Sequence, residues 1–195
     1  MAEEIKTVNY SDDNIITLDG LTHIRRRAGM YIGKLGDGNS SDDGIYVLIK
    51  EVIDNSIDEF RMNEGNKIEI TIKDRTVSIR DYGRGIPQGK MIDAVSKLNT
   101  GGKYDSNAFQ RSIGLNGVGI KAVNALSSSF IVKSYRDGIL KQADFVRGKL
   151  VKEYPQTPTE EKNGTYIQFT PDTEKQHPQE TLFDPNFNFN DEIIE

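Results

Sequence analysis

Glu51 and Asn55 stand one helical turn apart, a carboxylate able to polarise a water and an amide oxygen able to face a hard cation. At about 100° per residue Asp58 and Met62 fall on the same stripe, with Asp54 beside it. Three acids gather there with no base at the spacing of four that usually offsets them. A solvated polar face is one reading of such a stripe, and a surface that takes Mg²⁺ is the other. Further on, Asp81-Tyr82-Gly83-Arg84-Gly85-Ile86-Pro87 sets an acid at a strand end and follows it with two glycines, which let a flat ligand approach the backbone. Many tight turns share that pattern, yet a half-buried carboxylate at Asp81 would also accept from an exocyclic amine such as that of adenine, a strongly selective kind of recognition. A third cluster, Gly114-Leu115-Asn116-Gly117-Val118-Gly119, runs straight into a helix, where backbone amides and the helix dipole favour an anion. It is neither the phosphate loop with its Lys-Ser/Thr nor a dinucleotide fingerprint, because no strand closely precedes it. Upstream, Thr100-Gly101-Gly102-Lys103-Tyr104 offers a lysine that could close over phosphates. Each cluster alone could be a loop; in this order they make a catalytic helix, an adenine pocket and a phosphate lid.

The elements that must hold these residues follow from hydrophobic spacing. From Gly44 to Phe60, Ile45, Leu48, Ile49, Val52, Ile53, Ile57 and Phe60 recur at three and four, an amphipathic helix that Asp42 or Asp43 could cap. Ile68, Ile70 and Ile72 alternate with polar residues, and so do Val77 and Ile79 after Asp74-Arg75, which predicts two strands joined by a tight turn with Asp81 at the end of the second. Helical spacing recurs over Met91 to Leu98 and Val118 to Leu126, and strand-like runs come at Phe130 to Tyr135, Ile139 to Phe145 and Thr165 to Phe169. The polar stretch from Thr100 to Gly119 is far longer than a routine connector, hence a candidate lid. Helices first and mostly adjacent strands later predict an α+β fold, with helices on one face of a mixed, mostly antiparallel sheet. Residues 1–19 read as an arm and 20–195 as one domain. After Pro171 the chain turns polar and asparagine-rich, and Asn190-Asp191-Glu192-Ile193-Ile194-Glu195 looks like a capped helix cut off after its first turn, as in a piece of a longer chain.

Composition narrows the function classes. With 195 residues, 35% hydrophobic and 28% charged, the chain fits one ordinary globular domain. There is no cysteine, which removes disulfides and thiolate chemistry, and His23 and His177 alone make no conventional zinc site. No apolar run approaches the roughly 18 residues of a membrane span, and the acidic start at Met1-Ala2-Glu3-Glu4 is unlike a secretory signal, so a cytoplasmic location is expected. A net charge of −5 argues against strong DNA binding by this segment itself. Arg25-Arg26-Arg27 is too short to reverse that balance and reads as a solvated turn, structural ion pairs or a partner contact.

With these residues assembled, the sequence resembles the GHKL ATPases, and among them the B subunits of bacterial type II topoisomerases. The likeness runs from about Tyr10 to Phe169 and is carried by Gly29-Met30-Tyr31-Ile32-Gly33, Glu51 to Glu59, Asp81 to Pro87, Thr100 to Lys103, Gly114 to Gly119 and Gly164-Thr165. It implies a GHKL (Bergerat) ATP-binding sandwich that binds ATP and Mg²⁺. By resemblance, Glu51 is the general base, Asn55 the Mg²⁺ ligand and Asp58 a further nucleotide-site acid. Asp81 accepts the adenine amine, helped by Thr165 and a bridging water, and Gly85 gives room beside Ile86. Glu59 and Arg84 are the ion pair walling the pocket, with Pro87 at its mouth and Arg136 near its rim. Gly102 and Lys103, with the backbone of Leu115, Asn116, Gly117, Val118 and Gly119, lie on the phosphates, and Lys103 belongs to the catalytic set. Tyr10 matches a tyrosine that reaches into the partner protomer, so the resemblance implies an ATP-dependent homodimer, a topoisomerase A subunit as partner, and DNA strand passage by the full enzyme. The family's phosphate-contacting lysine from a second domain falls beyond Glu195, which implies slow hydrolysis by residues 1–195 alone. Ala28 stands where proline is usual, Tyr82 where a small polar residue is, and Asn116 where histidine is common, and the segment between Pro87 and Thr100 is short. These features are closer to the topoisomerase IV members of the family than to gyrase.

Overall fold

A computed structural model describes residues 19–98 and 117–194. Three helices precede the first strand. α1 (Gly20–Arg26) is capped by Asp19, whose Oδ1 accepts from the N–H of Leu21 at 3.1 Å and of Thr22 at 3.0 Å. α2 (Gly29–Ile32) is a single turn, and α3 (Gly44–Arg61) is the long helix that the apolar spacing predicts. Ile45, Leu48, Ile49 and Val52 bury its apolar face. Asp43 sits at the N-cap position but caps nothing: its carboxylate turns back to accept from Gly38 N–H at 2.9 Å and faces Lys34 at 3.2 Å. The expected cap is thus replaced by a clasp on the preceding loop.

β1 (Ile68–Lys73) and β2 (Thr76–Asp81) form a hairpin whose turn places Asp74 at φ 55°, a left-handed position that aspartate tolerates. A short 3₁₀ turn (Gln88–Lys90) leads into α4 (Met91–Ser96), and α5 (Gly119–Ala125) leads into β3 (Ser127–Arg136). β4 (Ile139–Val146), β5 (Lys149–Glu153), the two-residue β6 (Thr157–Pro158) and β7 (Gly164–Pro171) complete the sheet. Strand order is β1-β2-β7-β3-β4-β5, with β6 against β4. Every pairing among the described residues is antiparallel, so the expected mixed character is absent from them; β1–β2, β3–β4 and β4–β5 pair as sequence neighbours, while β2–β7 and β7–β3 join strands far apart in the chain. β7 fills the gap between β2 and β3, bringing Gly164 and Thr165 beside the end of β2.

Alternation decides which face of the sheet is covered. Val77 and Ile79 on β2, Phe130 and Val132 on β3, Ala143 and Phe145 on β4, and Ile167 and Phe169 on β7 are buried in one core with Ile45, Leu48 and Val52 of α3 and Val123 and Leu126 at α5. The stretch after Pro171, which reads as polar, does not leave this core. Leu182, Phe183 and Phe187 are buried in it. Arg25 of α1 anchors the same stretch, donating to Glu180 and Asp172 at 2.9 Å each, with Arg147 joining Asp172 at 2.7 Å. The structural ion-pair reading of the arginine run therefore holds for Arg25, while Arg27 is exposed. α6 (Asp191–Ile194) begins where expected, with Asn190 Oδ1 accepting from Glu192 N–H at 3.0 Å. No helix among the described residues is long and apolar enough to cross a membrane.

Candidate functional site

Asp81 ends β2 on the covered face of the sheet and is only 6% exposed. Its Oδ1 accepts two backbone N–H groups, from Gly83 and from Thr165, each at 3.0 Å. Among the described residues Oδ2 meets only the Ser56 hydroxyl of α3, at 3.4 Å, so one oxygen is saturated and the other remains a strong acceptor. Burial pushes the Asp81 carboxyl above the usual carboxylate range, although the two backbone bonds and Arg80 oppose that shift. Thr165 reaches Asp81 because β7 pairs with β2 in the register Arg80 to Tyr166. Such a carboxylate, half-satisfied at the floor of a fold interior, suits a ligand amine.

The loop after Asp81 is held at every step. Glu59, two turns beyond Val52 on α3, takes Arg84 in a two-point bond at 3.0 Å from both Nε and Nη2, and also accepts from Arg84 N–H at 3.1 Å. Burial pushes the Glu59 carboxyl up, but the bonds from Arg84 outweigh it and hold the group below its ordinary value. Gly85 has φ +75°, and a Cβ there would lie 2.6 Å from the carbonyl oxygen of Tyr135. The room that glycine leaves at this position is therefore filled by the protein's own β3 strand. Arg136 donates to the Gly85 carbonyl at 3.1 Å, and the Ser134 hydroxyl donates to the Ile86 carbonyl at 2.6 Å. Gln88 donates to the carbonyls of Ser134 and Ile139. Pro87 lies exposed at the end of the loop.

On α3 the polar stripe is not a solvated face. Asp58 is buried, Glu51 and Asn55 are half-buried, and Asp54 has its base after all, Lys50 at 2.5 Å one turn earlier. The Glu51 carboxylate lies across the start of α5: a Cβ on Gly119 would meet its Oε2 at 1.7 Å. Glycine at 119 is thus what lets the carboxylate sit against the helix entry. Asn55 donates from Nδ2 to the Glu51 carbonyl at 2.9 Å, which ties the two residues of the stripe together. Among the described residues no group of three or more His, Cys, Asp or Glu could hold a metal. Mg²⁺ keeps most of its shell as water and phosphate oxygen and needs only one or two protein ligands, and an amide oxygen such as that of Asn55 is a ligand of the kind that fits it. Gly117, at φ +57°, and Val118 shape the approach to α5, and the Lys121 ammonium, buried one turn inside that helix, donates back to the Gly117 carbonyl.

The fold brings together Glu51, Asn55, Asp58, Glu59, Asp81, Arg84, Gly85, Ile86, Pro87, Arg136 and Thr165 around the C-terminal half of α3 and the ends of β2, β3 and β7, with Gly117, Val118 and Gly119 at the other flank. Tyr10, Gly102, Lys103, Leu115 and Asn116 lie outside the described residues. Residue-by-residue reading did not single out Ser56, Ser134, Gln88 or Arg80. Ser56 was visible as the small residue one position after Asn55; each of the others bonds at least one carbonyl far away in sequence, Lys162, Ile86 or the Ser134 and Ile139 pair, and leaves no local pattern.

Residues 40–175 match the family model described as "Histidine kinase-, DNA gyrase B-, and HSP90-like ATPase". The chain is 59% identical over 170 residues to the B subunit of DNA topoisomerase 4 from Borreliella burgdorferi, covering 87% of this chain and 28% of that protein. It is 37% identical over 202 residues to the corresponding topoisomerase 4 protein of Staphylococcus aureus, covering 97% of this chain and again 28% of the relative. The chain thus spans little more than a quarter of the length of these relatives. Among solved structures it is similar to the 43K ATPase domain of Thermus thermophilus gyrase B, crystallised in complex with an aminocoumarin. That match has a TM-score of 0.65 and 28% identity, and covers 86% of this chain and 43% of that one.

Proposed function

Because the chain belongs to the histidine kinase-, DNA gyrase B- and HSP90-like ATPase family, we propose that it binds Mg-ATP and hydrolyses it as part of a type II DNA topoisomerase B subunit. The observation that carries this reading is the buried Asp81 carboxylate at the end of β2, with one oxygen fixed by two backbone N–H groups and the other left as an acceptor beside Ser56 of α3, the helix that carries Glu51. In this reading Asp81 accepts the exocyclic amine of adenine and Thr165 fixes the carboxylate. The Glu59–Arg84 pair walls the pocket, and Arg136 steadies the Gly85 backbone at its rim. Asn55 is the residue that would hold Mg²⁺, and the ion when bound would neutralise charge on the phosphate oxygens. Glu51 holds a water in line with the γ-phosphorus and takes its proton as the new O–P bond forms and the bond to the β-phosphate oxygen breaks, leaving ADP and phosphate. Gly102, Lys103 and the backbone from Leu115 through Asn116 to Gly119 hold the phosphates, with Lys103 opposing the charge that develops on them.

With ATP bound, Tyr10 enters the partner protomer, and the resulting homodimer closes a gate around DNA that the complete enzyme, with its A subunit, passes through a cleaved duplex. Topoisomerase IV is favoured over gyrase, supported by the two relatives of that name. Glu51→Ala in the full-length protein tests the chemistry: nucleotide binding by calorimetry stays near wild type while phosphate release stops, and retained turnover removes Glu51 from its role. Reconstitution with the A subunit separates the two enzymes, since topoisomerase IV relaxes and decatenates whereas gyrase introduces negative supercoils.

A further inference from the structure

Arg80 precedes the base-recognising aspartate yet points the other way. Alternation along β2 sends Val77, Ile79 and Asp81 to the helix-covered face and Arg80 to the opposite one. There the residue is only 8% exposed, its guanidinium carbon lying 4.6 Å from the ring centroid of Tyr82 and 4.3 Å from that of Tyr135. One arm of the fork donates to the Asp81 carbonyl, and the other donates to the Lys162 carbonyl at 2.6 Å. Gly164 passes so close that a Cβ on it would lie 2.1 Å from the Asp81 carbonyl and 2.2 Å from the Arg80 fork. Three elements therefore converge on one cation: the end of β2, the turn that leads into β7, and the end of β3 through Tyr135. Thr165, whose N–H fixes the Asp81 carboxylate at 3.0 Å, is three residues beyond the carbonyl that Arg80 grips.

We propose that Arg80, clamped between Tyr82 and Tyr135, is a positioning residue for base recognition, holding the Asp81 carboxylate and the Thr165 amide in register from the far face of the sheet. This gives Tyr82 a role: it is one jaw of the clamp, and its hydroxyl is tied to Glu69 at 2.7 Å. A lysine at position 80 could sit on the rings but could not bridge two carbonyls, because it lacks the planar fork. The inference rests on Asp81 being the acceptor for the adenine amine, and it predicts a change in selectivity beyond any change in stability.

The test compares binding of ATP with that of purine riboside 5′-triphosphate, which lacks the exocyclic amine, by calorimetry on the 195-residue chain and its Arg80→Met variant. Wild type is expected to prefer ATP by about tenfold or more. Arg80→Met should bring that ratio close to one by weakening ATP while leaving the amine-free analogue unchanged. A variant that keeps the wild-type ratio overturns the inference even if its melting temperature falls, since a loss of packing alone weakens both ligands together. A wild-type chain that binds both triphosphates equally instead overturns the role given to Asp81. Should Arg80→Met fail to fold by circular dichroism, Tyr82→Leu decides: it removes one jaw and keeps both carbonyl bonds, and a drop in the ratio of roughly threefold supports the clamp, while an unchanged ratio overturns it.

Discussion

Asp81 serves two ends that conflict. Burial raises its carboxyl above the ordinary value of 3.8, so keeping it ionised at neutral pH costs folding free energy, and that cost disappears as the pH falls through the raised value and the group protonates. Asparagine keeps the shape and can still accept from Gly83 and Thr165, but it cannot match the ionised oxygen as an acceptor for an amine. Asp81→Asn is therefore expected to weaken ATP by about 1–3 kcal/mol in calorimetry while its thermal midpoint at pH 7 stays at or above wild type; unchanged ATP affinity would remove the pocket. Gly119→Ala makes a complementary claim about Glu51. Its methyl would occupy the place of Glu51 Oε2, 1.7 Å away, and the carboxylate can only swing aside. Steady-state kinetics in the full-length protein should then show kcat falling with little change in KM, and equal losses in both would place the damage elsewhere. Glu51, Asn55, Asp81 and the Glu59–Arg84 pair were legible in the sequence because each sits in a dense local motif. Arg80, Ser134 and Gln88 were not, since each grips at least one carbonyl that the fold brings in from far along the chain: Lys162 for Arg80, Ile86 for Ser134, and Ser134 and Ile139 for Gln88.

Among elements, α3 and the β1–β2 hairpin follow closely from hydrophobic spacing; α3 and β2 bury their apolar residues, while on β1 the same alternation leaves Ile70 exposed. α1 and α2 were invisible to that reading. α1 is held locally by the Asp19 cap and at long range by the buried Arg25, which ties it to the segment after β7. Burial raises the Glu180 carboxyl, but the bond and charge of Arg25 together with backbone bonds from Gln176 and His177 outweigh it and leave the group below its ordinary 4.5. The stability that this pairing contributes is complete above 4.5 and is lost as the pH falls through the depressed value. Acid titration followed by circular dichroism should show that loss in wild type and a flatter profile in Glu180→Gln. Arg25→Met leaves Glu180 and Asp172 facing one another in the interior, and chemical denaturation at pH 7 should report a loss of about 3–5 kcal/mol. A loss under about 1 kcal/mol, typical of exposed pairs, would show the network to be dispensable.

For the molecule as a whole, the segment after Pro171 is part of the core despite its polar composition. Phe187 is fully buried, its ring against Phe183 and Phe189 and beneath the Arg75 guanidinium at 5.0 Å. Phe187→Ala is expected to cost about 3–5 kcal/mol in denaturant unfolding, whereas a surface tail would cost almost nothing. Sparse aromatics at irregular spacing carry no periodic signal, which is why this stretch, although placed within the domain, reads from sequence only as polar and asparagine-rich. The position of β7 has a consequence in time. It is the last of these strands to leave a ribosome, yet it is inserted between two strands made long before it, and it supplies the amide that Asp81 needs. A nascent chain stalled before Gly164 holds every acid of the site and still has no finished purine pocket, so the ability to take up nucleotide should appear in a single late step, when the middle of the sheet is filled.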